Sequence, residues 1–268
     1  PVFAHIPLNL NPSGTKMSKR DQGALIHEYQ ESGFLPDAVN NYMALLGWSG
    51  KDDQEIFSLE ELRAKFDLTG VNSSNSKFDY SKCKWVNGEH LKHLTPAALH
   101  ESAAPFLSKA GIDPTDPRVP AALELARDRA QLLSEIPVVI ATIFADSVTY
   151  DEASVAKVRE RTDLADVIRA LSEGLTAVDD WKVDAIKAGI LAGAEGIGAK
   201  MGALMLPCRV VVMGSTSGAC LVAVLELLGR DEVRKRLQSF EGSVFRYFKS
   251  TKGTTKWVKL LALILVLR

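Results

Sequence analysis

After Gly23 the apolar residues of this chain fall at helical spacing and keep to it for most of the remaining length. A chain patterned this way must bury one stripe of each helix against another, so it is expected to fold mainly as packed helices. "GFLPDAVNNYMALLGW" shows the punctuation. Pro36 fits a first helical turn, where its missing N–H costs nothing. Ala38, Val39, Tyr42, Leu45 and Leu46 share a face, and Gly47 can end the helix. In "SLEEL", Ser58 and Glu61 stand three apart as a capping box, with Leu59, Leu62 and Phe66 as the apolar stripe. "LTPAALHESAAPFLSKAG" starts on Thr95 as N-cap, has Pro96 at its first position and stops at Gly111.

Between these helices, "TGVNSSNSKFDYSK" is a polar loop whose Asn and Ser side chains bond their own backbone. The three prolines of "DPTDPRVP" mark the expected main linker and a domain boundary near it. Beyond it, Ala- and Leu-rich helical segments are expected over about 118–145, 151–174, 179–200 and 219–240. Two stretches depart from the helical pattern. "FAHIPLNL" at the start alternates and reads as a short buried strand. "CRVVVMG", residues 208–214, is β-branched and reads as strand on propensity, yet it lies among helices with no partner strand, so pattern alone leaves it open.

Composition excludes several classes. The 268 residues are 46% hydrophobic, enough for a sizeable core in one or two domains. The net charge of -1 carries no whole-chain signature of nucleic-acid binding, so any basic surface must be local. Cys83, Cys208 and Cys220 are far apart and show no CxxC spacing, which supports neither a zinc site nor a disulfide framework and fits a reducing compartment. No signal-peptide pattern opens the chain. The apolar run in "LLALILVLR", residues 260–267, is far short of the roughly 20 residues a membrane span needs.

The candidate chemistry sits in "SGTKMSKRDQG". Lys16 and Lys19 straddle Met17 and Ser18, Arg20 follows, and Gly14 and Gly23 let the loop bend. Cations on a mobile loop suit a triphosphate whose charge moves during reaction. A cation that tightens on departing pyrophosphate lowers the transition state more than the ground state. The plain alternative is a solvated basic surface loop, and for an isolated pentamer it would prevail.

The neighbours of the loop change that balance. "KMSKR" resembles the second signature motif of class I aminoacyl-tRNA synthetases. "HIPLNLNPSGTKMSKRDQGA", "GFLPDAVNNYMALLGWS", "IFSLEELRAKFDL" and "FDYSKCKWVNGEHLK" resemble, in order and spacing, bacterial-type glutamyl-tRNA synthetase. The likeness is dense to about residue 100 and thins after it. It returns at "LPCRVVVMGSTSGACLVAVLELLGRDEVRKRL", which is similar to that family's anticodon-binding segment. The resemblance implies a mainly α fold. A helical stem-contact domain is followed by an all-helical anticodon-binding domain, with a short strand and loop remnant of the class I Rossmann domain at the N-terminus. The implied divisions are 1–23, 24–112, 113–240 and an atypical tail, 241–268. It also turns "CRVVVMG" into a helix.

The resemblance further implies that Lys19 contacts ATP, supported by Lys16, Ser18 and Arg20, with Mg²⁺ accompanying the nucleotide. Arg209 and Leu221 match a region that contacts anticodon bases, though "LPCR" stands where a proline–leucine–arginine run is commoner. A guanidinium suits an unstacked base edge. A surface arginine paired with a helix carboxylate is the equal alternative for Arg209. The segment from about 70 to 105 would meet the inner side of the tRNA. The family's first signature is absent: none of His5, His27, His90, His93 and His100 lies in a His-x-Gly-His context. His90 and His93 with Glu89 lack a third ligand at metal spacing, so a surface pair at a helix start is expected and no metal site.

The implied function is glutamate–tRNA ligase, with tRNA(Glu), glutamate and ATP as partners, in a cytoplasmic monomer; this chain carries a fragment without the main catalytic domain. The alternative is a non-catalytic tRNA-binding module. A helical scaffold with no RNA role would explain the balanced charge and leave the motif order unexplained. The glutaminyl relatives carry a β-barrel anticodon module, which the long helical half argues against. In the tail, Phe245, Tyr247, Phe248 and Trp257 beside Arg246, Lys249, Lys252 and Lys256 read either as extra tRNA contact or as an extension foreign to the fold.

Overall fold

The computed structural model describes residue 3 and residues 5–250, the last ten by their backbone alone, so the basic and aromatic tail lies outside the described side chains. Among the described residues the chain forms thirteen α-helices, two short 3₁₀ turns and two strands of two residues each. It divides into two compact units, Pro1–Phe144 and Ala145–Arg268.

The first unit holds β1 (Asn9–Leu10), α1 (Ile26–Ser32), α2 (Pro36–Gly47), α3 (Leu59–Lys65), β2 (Ser76–Lys77), α4 (Tyr80–His93), α5 (Pro96–Lys109), α6 (Val119–Arg127) and α7 (Ile136–Phe144). The local signals behave as their chemistry requires. Pro36 and Pro96 sit in first turns, and Thr95 accepts from the Ala98 N–H at 3.2 Å. Ser58 and Glu61 form the reciprocal box, at 3.1 and 2.7 Å. The α3 stripe is narrower than expected. Leu62 is buried, but Phe66, at the end of the helix, is 51% exposed; its ring still lies 5.8 Å from that of Trp48, beside Phe57 at 5.9 Å.

Helix α2 packs on α4 through two asparagines that are fully buried. Asn87 of α4 accepts from Leu35 N at 2.7 Å and donates to the Gln131 carbonyl at 2.5 Å. Asn41 of α2 accepts from Phe57 N at 3.0 Å and donates to the Glu55 carbonyl at 3.0 Å. Each amide satisfies loop backbone that the apolar core would otherwise strand without partners. Arg127 of α6 closes the C-terminus of α4, its Nη1 donating to the carbonyls of Leu91, Lys92 and Leu94.

One expectation needs correction here. The opening strand is only Asn9–Leu10, paired in parallel with Ser76–Lys77. Phe3, Ile6 and Leu8 are 84%, 72% and 49% exposed, because nothing among the described residues covers their alternating side chains. The proline-rich stretch 113–120 lies inside the first of the two compact units, Pro1–Phe144. Here the prolines shape a turn and the start of α6 while α5, α6 and α7 stay packed together.

The second unit holds α8 (Glu152–Arg159), α9 (Leu164–Thr176), α10 (Val183–Gly196), α11 (Met201–Met213), α12 (Leu221–Leu228) and α13 (Arg230–Ser250). Residues 208–214 are helical and end α11, so packing overrides the β-branched propensity; Cys208, Val210, Val211 and Val212 are fully buried. The long segments expected around 118–145, 151–174 and 219–240 are each broken into two helices. Glu135 turns back to accept from Gln131 and Leu132 N–H before α7. Arg161 pairs with Asp163 in the α8–α9 turn, and Gly229, at φ +77°, separates α12 from α13.

Helices α9 and α10 form the tightest crossing. A β-carbon on Gly174 would lie 2.2 Å from the Gly189 carbonyl oxygen, so the two backbones touch with no side chain between them. Arg236 of α13, 3% exposed, donates to the carbonyls of Val212 and Ala145 and pairs with Glu232 at 2.8 Å. No single helix among the described residues is long and apolar enough to cross a membrane.

Candidate functional site

The basic loop is built from two successive turns. In the first, Asn11 N–H donates to the Thr15 carbonyl at 2.8 Å and Gly14 N–H to the Asn11 carbonyl at 2.9 Å, which returns the chain so that Lys16 bridges Leu10. The Asn11 carboxamide oxygen accepts from Thr15 N–H at 3.0 Å, Ser13 Oγ at 2.7 Å and Thr15 Oγ1 at 3.1 Å. In the second turn, residues 18–21, Asp21 N–H donates to the Ser18 carbonyl at 3.1 Å and Ser18 N–H donates to Asp21 Oδ2 at 2.6 Å. Lys19 and Arg20 occupy its two central positions, where the chain turns outward. The turns are joined by one bond, Asn11 Nδ2 to Asp21 Oδ1 at 3.3 Å. The hydrogen bonds from Ser18, with a smaller contribution from Asn11, hold the Asp21 carboxyl below the usual carboxylate range.

Both ends of the loop are fastened to the first unit. Upstream, Met17 N–H donates to the Asn9 carbonyl at 3.0 Å, and Phe78 N–H donates to the Leu10 carbonyl at 2.8 Å. Downstream, the Tyr29 hydroxyl donates to the Gly23 carbonyl at 2.6 Å. Gly23 is required at this point. Its φ is +83°, and a β-carbon there would lie 2.4 Å from the Phe78 ring.

Lys16, Ser18, Lys19 and Arg20 are all exposed on this one loop. None of the three cations is in an ion pair among the described residues. Lys77 of β2 adds a fourth cation, its Nζ 3.9 Å from where a Gly14 β-carbon would lie. The arrangement is a concentration of unneutralised positive charge on a short tethered loop, which can neutralise a polyanion such as a phosphate chain.

The second pair of candidate residues lies in the other unit. Arg209 of α11 reaches across the loop at 215–218, and its Nη1 donates to the Ala219 carbonyl at 2.8 Å and lies 3.6 Å from Met213 Sδ. Leu221 opens α12 two residues later but is 1% exposed, so its side chain belongs to the core. Arg209 is thus held by the carbonyl two residues before the start of α12 and is partly exposed, while Leu221 is buried.

The histidines are used locally. His90 Nε2 lies 2.9 Å from Asn41 Oδ1, which already accepts from Phe57, so the ring nitrogen is the donor. His93 Nδ1 lies 2.7 Å from the Glu89 carbonyl. Among the described residues no three His, Cys, Asp or Glu side chains cluster as a metal site would need. All three cysteines are free, with Cys83 and Cys208 buried and Cys220 exposed. Sequence reasoning passed over Asn11, Asp21 and Lys77. The available signal was turn chemistry, an Asn opening "NPSG" and an Asp closing "SKRD", both suited to bonding nearby backbone.

Two family models match the chain. The model described as tRNA synthetases class I (E and Q), catalytic domain, matches residues 1–85, and the anticodon binding domain model matches residues 98–240. The chain is similar to a protein of Akkermansia muciniphila named glutamate–tRNA ligase, 42% identical over 240 residues, covering 90% of this chain and 54% of that one. A protein of the same name from Delftia acidovorans is 39% identical, covering 89% and 51%. Among solved structures, a glutamate tRNA ligase from Elizabethkingia meningosepticum, in complex with its amino acid, matches with a TM-score of 0.80 at 28% identity, covering 89% of this chain and 51% of that one. The chain thus spans about half the length of the curated relatives it matches.

Proposed function

Because this chain belongs to the glutamyl-tRNA synthetase family of class I aminoacyl-tRNA synthetases, we propose that it supplies the phosphate loop and the tRNA-reading helices of a glutamate–tRNA ligase. That enzyme joins glutamate to ATP as glutamyl-adenylate, releases pyrophosphate, and passes the acyl group to the terminal adenosine of tRNA(Glu). Mg²⁺ accompanies ATP as its phosphate counter-ion. The observation that carries the reading is the loop of unpaired, exposed cations at Lys16, Lys19 and Arg20, inside a family match that continues into the anticodon-binding helices.

In this reading Lys19 leads. It sits at the tip of the second turn, where its ammonium can follow the phosphates as charge develops on the departing pyrophosphate. Lys16 and Arg20 raise the local potential, and the Ser18 backbone holds the turn. The stem-contact region follows the loop. Arg209 reads an anticodon base, and Leu221, buried at the start of α12, supports the backbone that holds it. The protein works as a cytoplasmic monomer.

The test joins this chain to the N-terminal half of a full-length relative and measures ATP–pyrophosphate exchange. Lys19→Ala is expected to lower exchange by about 10²–10³-fold, the usual effect of removing one transition-state charge partner. Unchanged exchange would refute the role of Lys19. A second reading is favoured by one observation, the match to the anticodon binding domain over residues 98–240. In it the chain acts as a tRNA-binding module. It would bind tRNA with an affinity that falls as salt rises and show no nucleotide turnover. Equal binding of tRNA and an unrelated RNA of the same length would sink both readings.

A further inference from the structure

The two turns of the basic loop do not need each other to close, yet they are joined. Each has its own backbone bonds, Gly14 to Asn11 in the first and Asp21 to Ser18 in the second. The chain between them is tied by Met17 N–H to the Asn9 carbonyl, and the one side-chain bond that fastens the second turn to the first runs from Asn11 Nδ2 to Asp21 Oδ1. Both partners are committed on their far sides. The Asn11 oxygen is occupied by Ser13 and Thr15, so its amide nitrogen must face Asp21. Asp21 Oδ2 is occupied by Ser18 N–H, so Oδ1 must face Asn11. Both residues are half-buried, whereas the cations between them are exposed.

We propose that Asn11 and Asp21 are positioning residues that clasp the two turns together and thereby fix where Lys16 and Lys19 stand relative to one another. The inference rests on the reading of this loop as a phosphate loop. Without the clasp the second turn could swing between its anchors at Met17 and Gly23 and carry Lys19 away from Lys16. With the clasp shut, Lys16 is set by the first turn, Lys19 by the second, and the second turn is held against the first by the clasp as well as by the Met17 anchor. A phosphate chain then meets a cation pair whose ordering entropy has been paid in advance. The carboxylate of the clasp takes its bonds from amides and leaves the ammonium groups unpaired.

The clasp has a direction, amide donor to carboxylate acceptor, so it can be broken and restored by exchange. Asn11→Asp sets two carboxylates face to face. Asp21→Asn sets two amide nitrogens face to face, because the Asn11 oxygen cannot turn away from Thr15. The double exchange returns donor to acceptor and leaves the bonds to Ser13, Thr15 and Ser18 intact. Loop opening is read from tryptic cleavage of the Lys16–Met17 bond in this chain, since Met17 N–H is tied to the Asn9 carbonyl and neither substitution lies beside that bond. Each single exchange is expected to speed cleavage about five- to tenfold, and the double exchange to return it to within about twofold of the parent.

In the protein completed with a relative's N-terminal half, ATP–pyrophosphate exchange is followed for the same four sequences. The single exchanges are expected to raise KM for ATP and lower kcat, leave KM for glutamate unchanged, and be rescued by the double exchange. Single exchanges that leave cleavage unaltered, or a double exchange that fails to restore it, would overturn the clasp. A cleavage cycle that closes while exchange kinetics stay at the parent values would overturn its positioning role. Lys19→Ala, run in parallel, separates this from the premise. If Lys19 proves dispensable while the cleavage cycle closes, the phosphate reading has failed and the clasp has not.

Discussion

Alanine at Gly174 sets two effects of opposite sign against each other. Replacing a helical glycine by alanine gains about 0.8–1 kcal/mol of helix propensity. At this position the added β-carbon would lie 2.2 Å from the Gly189 carbonyl oxygen and 3.1 Å from Gly193 N. Both are backbone atoms, so no rotamer can move aside. Helices α9 and α10 must separate by about 0.8 Å merely to bring the shorter contact to 3.0 Å. That displacement carries Ile186 and Ile190 with it, both fully buried, and a gap of this size forfeits about a quarter to a half of each contact's dispersion energy. Overpacking with loss of contacts costs about 2–4 kcal/mol, so the clash wins and Gly174→Ala destabilises by about 1–3 kcal/mol. Gly202 in α11 is the control, because its β-carbon would meet nothing within 4 Å. Gly202→Ala should be neutral or stabilising by up to about 1 kcal/mol. Urea unfolding followed by far-UV circular dichroism separates the two, with Gly174→Ala lowering the second unit's midpoint by about 1 M relative to Gly202→Ala. Equal midpoints would show that the crossing is looser than its geometry.

Two further outcomes follow from the first unit. Asn87→Ala strands the Leu35 N–H and the Gln131 carbonyl and should cost about 2–5 kcal/mol. Amide exchange should show the largest loss of protection at Leu35, and unaltered protection there would contradict the assignment. His90 is held below its ordinary pKa of 6.5 by burial, partly offset by the attraction of Asp37 and reinforced by the repulsion of His93. The unfolded chain therefore binds this proton more readily than the folded one. The contribution of neutral His90 is complete above about pH 6.5 and declines as pH falls below it. His90→Gln, which keeps a donor toward Asn41, should flatten the stability profile between about pH 7 and pH 5, and an NMR titration midpoint at or above 6.5 would refute the sign.

What sequence carried well was local. The Ser58–Glu61 box, the Thr95 cap and the prolines at helix starts each depend on residues within one turn of each other, and each forms as expected. The basic loop was legible by its motif and order. What sequence carried poorly depends on distant partners. Asn41 and Asn87 show their role only through the loop amides and carbonyls they serve. The "VVVM" run reads as strand locally and becomes helix because α9 and α13 pack against it. Prolines at 114, 117 and 120 suggest a linker because they break helices, but a break in secondary structure is not a break in packing. Leu221 was picked by its place in a motif, and burial assigns its side chain to the core. In the loop, Asn11 and Asp21 are ten residues apart, and only the folded return of the chain shows that they meet.

The fastening of the loop sets a limit on its reach. From Met17, tied to the Asn9 carbonyl, to Gly23, tied by Tyr29, the chain has six residue steps. Fully extended these span about 20 Å, so with both ends anchored the backbone can bow outward by about 10 Å at most. The loop is a leash. The Lys19 backbone can sweep a small dome above its two anchor points and nothing wider, and its ammonium reaches only one side-chain length beyond that dome.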